Sequence, residues 1–281
     1  MRVSALLACS LILVATLASS CSGSGYGSDR YLAATLPPLN ITQVAAPTPD
    51  ALGRVCVPVL LYHHLQILSA DAGTDWEDST VTPETFEEEM AYLAAHNFHS
   101  TSVADLIAYL EQGRPLPENP VIITFDDGWE ETYTVGFPIL RKYGLSATFF
   151  IPANWVENLD GTLSWAQIEE MDRAGMEIGS HTMTHPYLIK STPEMLTWEL
   201  ENSKARLEKH TSKPVIALAY PFGLYDDNVI QQTKAAGYRA AFTIEPGLWA
   251  SRDRIFQLPR IDIPYSTDLN TFAADLQTAN P

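Results

Sequence analysis

Four residues in this sequence have the types and spacing to hold a metal ion and work beside it. Asp126 and Asp127 stand together before Gly128, directly after the apolar run VIITF (121–125). His181 and His185 stand four apart in SHTMTH (180–185). Two like charges at the tip of a buried strand repel each other, and a cation resolves the conflict. Two imidazoles and one carboxylate form a three-ligand site with a position open to water. A cation there lowers the pKa of that water and polarises a substrate carbonyl. The second carboxylate is then free to act as a base beside a positive centre. Asp-Asp-Gly alone is a common turn, and His-x-x-x-His alone is often a surface coincidence. Together, at the ends of two strands of one fold, they point to chemistry. The i, i+4 spacing brings both rings to one side if residues 181–185 turn helically.

Strand-like and helix-like segments alternate from Val55 onward and would position these groups. VCVPVLLY (55–62) reads as the first strand, followed by VIITF, ATFFI (147–151), MEIGS (176–180), VIALAY (215–220), YRAAFTI (238–244) and IFQLPRIDI (255–263). Between them lie helical patterns with start and stop signals. A Ser-x-x-Asp box opens 102–113, a Ser-x-x-Gln box opens 164–175, and Thr192-Pro193 opens a long pattern to 210. About seven strand–helix repeats with all-apolar strands predict a parallel α/β fold covered on both faces. A distorted (β/α) barrel is the first choice and an open doubly wound sheet the second. No G-x-G-x-x-G follows a strand, so a dinucleotide site is not supported. Reacting groups in such folds sit at the C-terminal strand ends. These ends carry His63-His64, Asp126-Asp127, His181 with His185, and Tyr220-Pro221-Phe222-Gly223.

The chain has 281 residues, 46% hydrophobic and 18% charged, with a net charge of −17. That argues against nucleic acid and against anionic lipid bound through a basic face. Residues 1–20 have the layout of a secretory signal: Arg2, an uncharged apolar stretch, then small residues ending at LASSC (17–21). That ending resembles the lipobox of bacterial lipoproteins, which implies a lipid anchor on Cys21 at the outer face of the membrane. Ordinary cleavage and release is the alternative. Residues 21–54 are rich in Ser, Ala, Thr and Pro and read as a tether, with the catalytic domain at 55–281. Cys56 stands alone in the domain and reads as a small packed residue rather than a nucleophile.

TFDDG (124–128), then SHTMTH, then AYPFG (219–223) resembles the ordered motifs of the polysaccharide deacetylase family, carbohydrate esterase family 4, the NodB-homology domain. PVLLYHH (58–64) and LPRIDI (258–263) extend the likeness toward the branch that deacetylates poly-N-acetylglucosamine. The resemblance implies an N-acetylated polysaccharide substrate and a hydrolase with one divalent metal, zinc by default, with iron, cobalt or nickel also suited. It implies Asp126 as the base that activates the water, and Asp127, His181 and His185 as metal ligands. Thr182 would support the loop between the histidines. The Phe222 N–H would meet the oxyanion, and Tyr220, Pro221, Phe222 and Trp129 would wall the substrate pocket. Two positions depart from the pattern. Ala219 stands where many members have an arginine near the base, so Arg260 is expected to reach it from the last strand, as a catalytic partner or a structural ion pair. No histidine follows His210, so His63 is the expected general acid, with His64 second and a structural role for the pair as the alternative. Two rival functions remain at this level: an O-acetyl esterase on a glycan such as xylan, and a non-catalytic glycan-binding lipoprotein.

Overall fold

The computed structural model describes residues 46–69 and 72–277. The expected signal at 1–20, Cys21 and most of the expected tether lie outside the described residues. Among the described residues, no helix is long and apolar enough to cross a membrane.

Seven parallel strands close into a barrel. They are β1 (Val59–Tyr62), β2 (Pro120–Phe125), β3 (Thr148–Ile151), β4 (Glu177–Ser180), β5 (Ala217–Ala219), β6 (Ala240–Pro246) and β7 (Leu258–Asp262). Each pairs in parallel with its successor, and β7 pairs with β1, so chain order is kept around the ring. His99–Ser100 lies outside the ring against the start of β2. Because all seven strands run one way, their C-terminal ends share one mouth.

Helices cover the outside: α1 (Pro83–Ala95), α2 (Val103–Gln112), α3 (Phe137–Lys142), α4 (Trp165–Arg173), α5 (Pro193–Leu207), α6 (Asp227–Ala235) and α7 (Leu269–Gln277). Their starts follow the sequence signals. Ser102 accepts from the Asp105 N–H, and Ser164 and Gln167 cap reciprocally. Thr192 accepts from the Met195 N–H, with Pro193 in the first turn.

Two apolar clusters follow from strand alternation. Val121, Ile123 and Phe125 face the helices, as do Phe149 and Ile151. Ile122, Phe150, Ala217, Ala219, Ala240, Phe242 and Leu258 fill the inside.

The expected first strand, 55–62, is two pieces. Val55–Cys56 pairs antiparallel with Trp249–Ala250, and only Val59–Tyr62 enters the barrel. Pro58 stands at the break and has no N–H to give a ladder. Cys56 is half-buried, and burial pushes its thiol up to about 11, which suppresses thiolate at neutral pH.

Candidate active site

The alternation that packs β2 also aims its end. Ile122 and Thr124 point inward, so Asp126, two residues further, points inward as well. Its N–H still bonds to the Tyr62 carbonyl at 2.9 Å, which extends the ladder one step past the strand. Arg260 enters the same space from β7 and is 1% exposed. Its Nη1 and Nη2 donate to the two Asp126 oxygens at 2.8 and 2.7 Å, its Nε to the Thr243 carbonyl at 2.8 Å, and Nη1 also to Thr124 Oγ1 at 3.3 Å. The guanidinium lies against the rings of Phe150 and Phe242. Burial opposes the charge on Asp126, but Arg260, and His181 after it, together overcome burial and hold the carboxyl at about 2. Arg260 thus reaches Asp126 from the last strand, as a buried two-point ion pair. The Ala219 carbonyl has another task, accepting from His181 Nδ1 at 2.8 Å.

The chain then turns sharply. Asp127 adopts φ 72° and Gly128 φ 66°, and a Cβ on Gly128 would meet the Ile151 side chain at 3.0 Å. This turn carries Asp127 away from Asp126 and toward β4. His181 directly follows β4, its N–H bonded to the Ile151 carbonyl at 3.0 Å. The segment to His185 is not helical. Thr182 and His185 take φ of 68° and 60°, and Thr182 Oγ1 accepts from the His185 N–H at 3.1 Å. The rings therefore converge through a tight left-handed loop, and the expected helical turn is absent.

Asp127 Oδ1 lies 3.5 Å from Nε2 of both His181 and His185. These three atoms lie within 4.8 Å of one another. Oδ1 is buried and has no hydrogen-bond partner, while Oδ2 accepts from Trp129 Nε1 at 3.3 Å. Burial, then the neighbouring Asp126 charge, push Asp127 up to about 7. Burial lowers His181 to about 3 and also lowers His185, which disfavours the charged form of both rings. Nδ1 of His181 carries the proton shared with Ala219, which leaves a lone pair on Nε2. One orphaned carboxylate oxygen facing Nε2 of two imidazoles fits a divalent cation with nitrogen and oxygen ligands.

His63 follows β1 and is half-buried, with Asp126, Arg260, His64 and His185 close enough to bear on its charge. Burial lowers it to about 4, with Asp126 opposing. His64 is differently held. Its Nδ1 bonds to Glu131 Oε1 at 2.6 Å, and its ring sits 4.4 Å from Trp129 and 4.7 Å from Trp76.

Of the expected pocket walls, Trp129 and Phe222 stand at the site. Phe222, at φ 59°, lies 4.6 Å edge-to-face from His185 and 4.1 Å in a stack with Tyr187. Gly223 makes that turn fit, since a Cβ there would lie 2.4 Å from Ile244 Cγ1. Pro221 is buried beside it. Tyr220 was expected in the wall, but its ring is fully buried in the outer core, its hydroxyl donating to the Phe256 carbonyl at 3.1 Å. It continues the outward face of Leu218, and that parity was present in the sequence. Sequence reading missed Trp155, 5.3 Å from the His185 ring, and Tyr187 and Trp76 at the rim. No local motif marks them; they meet the site only through the fold.

The chain matches known proteins along this same frame. The polysaccharide deacetylase family profile matches residues 113–241, which include both aspartates and both histidines but neither His63 nor Arg260. The poly-beta-1,6-N-acetyl-D-glucosamine N-deacetylase of Staphylococcus epidermidis is 30% identical over 195 residues, 65% of this chain and 67% of that protein. A Streptococcus pyogenes deacetylase solved in complex with acetate superposes with a TM-score of 0.74 at 29% identity, over 83% of this chain and all of that one. A polysaccharide deacetylase from Bacillus cereus gives a TM-score of 0.70 at 31% identity, over 79% of this chain and 69% of that one. On the matched profile, the 30% identity that covers two thirds of the S. epidermidis enzyme, and the shared fold, the chain belongs to the polysaccharide deacetylase family and is a hydrolase of that class.

Proposed function

We propose that this enzyme removes N-acetyl groups from an N-acetylglucosamine-containing polysaccharide with the help of one divalent cation. The observation that carries the metal dependence is Asp127 Oδ1, buried, unpartnered and equidistant from two imidazole nitrogens. Asp127, His181 and His185 would hold the cation, with zinc the default and iron, cobalt or nickel compatible with the donors. When bound, it supplies Lewis acidity to the acetyl carbonyl and makes a nearby water more acidic.

The chain's own groups do the rest. Asp126 takes the proton from the attacking water, and Arg260 fixes both its oxygens so that it cannot turn away. The Phe222 N–H faces the charge that develops on the acetyl oxygen. As the carbon–oxygen bond forms and the carbon–nitrogen bond breaks, the proton must end on the departing amine. His63, close enough to Asp126 for each to bear on the other's charge, takes the proton onward and delivers it. The Glu131-held ring of His64 is the second candidate for that delivery. Trp129 and Phe222 wall the acetyl and sugar rings. The S. epidermidis relative, named for its action on poly-beta-1,6-N-acetyl-D-glucosamine, supports the choice of polymer. Export and a lipid anchor on Cys21 fit such a substrate and are part of the same proposal.

The test is acetate release from defined N-acetylglucosamine oligomers, with metal content measured on the same sample. Release should stop on chelation and return with one equivalent of cation. Release from acetylated xylan alone, with none from the oligomers, would replace N-deacetylation by O-deacetylation.

A further inference from the structure

The loop 181–185 has an unusual task. It must hold two left-handed, non-glycine residues, Thr182 and His185, while presenting two rings to one point. Conformations of that kind persist only where surrounding contacts over-determine them. Every N–H of the loop has an acceptor. His181 donates to the Ile151 carbonyl, Thr182 to Ser180 Oγ, and His185 to Thr182 Oγ1. The N–H groups of Met183 and Thr184 both donate to Glu199 Oε2, each at 2.9 Å, and the Thr184 hydroxyl donates to Glu199 Oε1 at 2.5 Å.

Glu199 is 1% exposed and projects from α5, a helix outside the barrel wall. Four residues on, Ser203 of the same helix face accepts from Ser180 Oγ at 2.9 Å, and Ser180 Oγ accepts the Thr182 N–H. One helix face thus holds the loop through Ser180 at its start and through Met183 and Thr184 in its middle. A buried carboxylate is a costly way to hold a loop unless its position matters. Three donors converge on it, all from Met183 and Thr184, two of the three residues between the histidines.

We propose that Glu199 is the positioning residue that fixes the loop 181–185 so that His181 and His185 are preset to receive the cation. This rests on the metal reading above and adds to it a residue that touches neither cation nor substrate. A partner of this kind commonly contributes about 10–100-fold in metal affinity.

The experiment is metal binding by the full chain, measured by competition with a chromogenic chelator for Zn2+ and by the visible spectrum of the Co2+-loaded protein. Glu199→Ala should weaken Zn2+ binding about 10–100-fold and shift the Co2+ bands. Glu199→Gln, whose amide oxygen still accepts both N–H groups, should recover most of the affinity. A purely structural Glu199 would lower the melting temperature yet leave affinity and spectrum of the folded protein unchanged, and that result overturns the proposal. Should Glu199→Ala fail to fold, Thr184→Val decides, because it removes only the 2.5 Å bond. Weaker binding supports the role, and an unchanged spectrum with unchanged affinity overturns it. If wild-type protein takes up no cation, the metal reading falls and this one with it; if wild type binds and Glu199→Ala binds equally, only the role of Glu199 falls.

Discussion

Glu177 and Asp127 are both acids that burial pushes upward, one at the entrance of β4 and one just past the exit of β2. Glu177 is saturated. It accepts from the N–H groups of Val103 and Ala104 at 2.7 and 3.1 Å, which start α2, and from Thr148 Oγ1 at 2.8 Å. Asp127 is left wanting, with one oxygen buried and bare. The backbone differs likewise. Around the mouth, Asp127, Thr182, His185 and Phe222 all adopt positive φ, a region that costs a non-glycine residue about 1–3 kcal/mol. At the entrance, the carboxylate ties a helix to two strands with ordinary geometry. The contrast separates two uses of a buried charge: one completes its bonds to hold the fold, and the other leaves them open for something that binds later.

The largest expected effect breaks the mouth without touching the frame. Asp127→Asn keeps the shape and tolerates positive φ, yet loses the anionic ligand. Turnover should fall about a thousandfold or more. The melting temperature of the metal-free protein should hold or rise, because an uncompensated buried carboxyl is gone. A large drop in that temperature would place Asp127 with Glu177, among the structural acids.

Next comes the ion pair that joins both roles. Arg260→Ala leaves Asp126 charged, buried and alone, which should cost about 3–5 kcal/mol in urea unfolding and lower turnover as well. Adding Asp126→Asn to that variant should restore much of the stability and none of the activity. Activity that returned with stability would show Asp126 to be a scaffold group rather than the base.

How much of this the sequence displayed depends on whether a feature is local. The strand ends of β2 and β4, the caps at Ser102, Ser164 and Thr192, and the seven-fold alternation are short-range signals and read true. Arg260 reaching Asp126 across 134 residues was inferable only once a closed barrel placed β7 near β2. The left-handed histidine loop mimics helical spacing, since four residues can converge two rings by either route. Glu199, Trp155 and Tyr187 were silent because each acts through a contact between elements, and an isolated Glu in a helix reads as a wet face. Tyr220 was misplaced by its neighbours' motif, although alternation from Ala217 and Ala219 turns it outward.

A smaller change tests the frame alone. Glu177→Ala should cost about 1–3 kcal/mol of stability through the stranded N–H groups of α2. The turnover of the folded fraction should match wild type. A fall in turnover at full folding would mean the entrance of β4 is coupled to its exit, and the division between the two ends would fail.

The finest distinction concerns a third acid, Glu89 on α1, fully buried yet remote from the histidine loop. It accepts from Tyr62 Oη at 2.8 Å, while its Oε1 has no partner. Burial pushes it up from 4.5 to about 8, with the Tyr62 hydrogen bond opposing and Glu88 adding slightly. Unlike Asp127 it has no imidazoles facing it, so it meets its shortage by keeping a proton. The sign follows from linkage: between 4.5 and about 8 the unfolded chain has lost this proton and the folded chain retains it. Its contribution to stability is therefore full below the unfolded value and declines as pH rises, by at most about 1.4 kcal/mol per pH unit, until it levels off above the folded value. Glu89→Gln should flatten that decline in unfolding curves taken from pH 5 to 8 while metal affinity stays at the wild-type value. If the slope persists in the variant, the proton belongs to another group; if metal affinity moves with it, Glu89 acts on the mouth through Tyr62 and is no bystander to it.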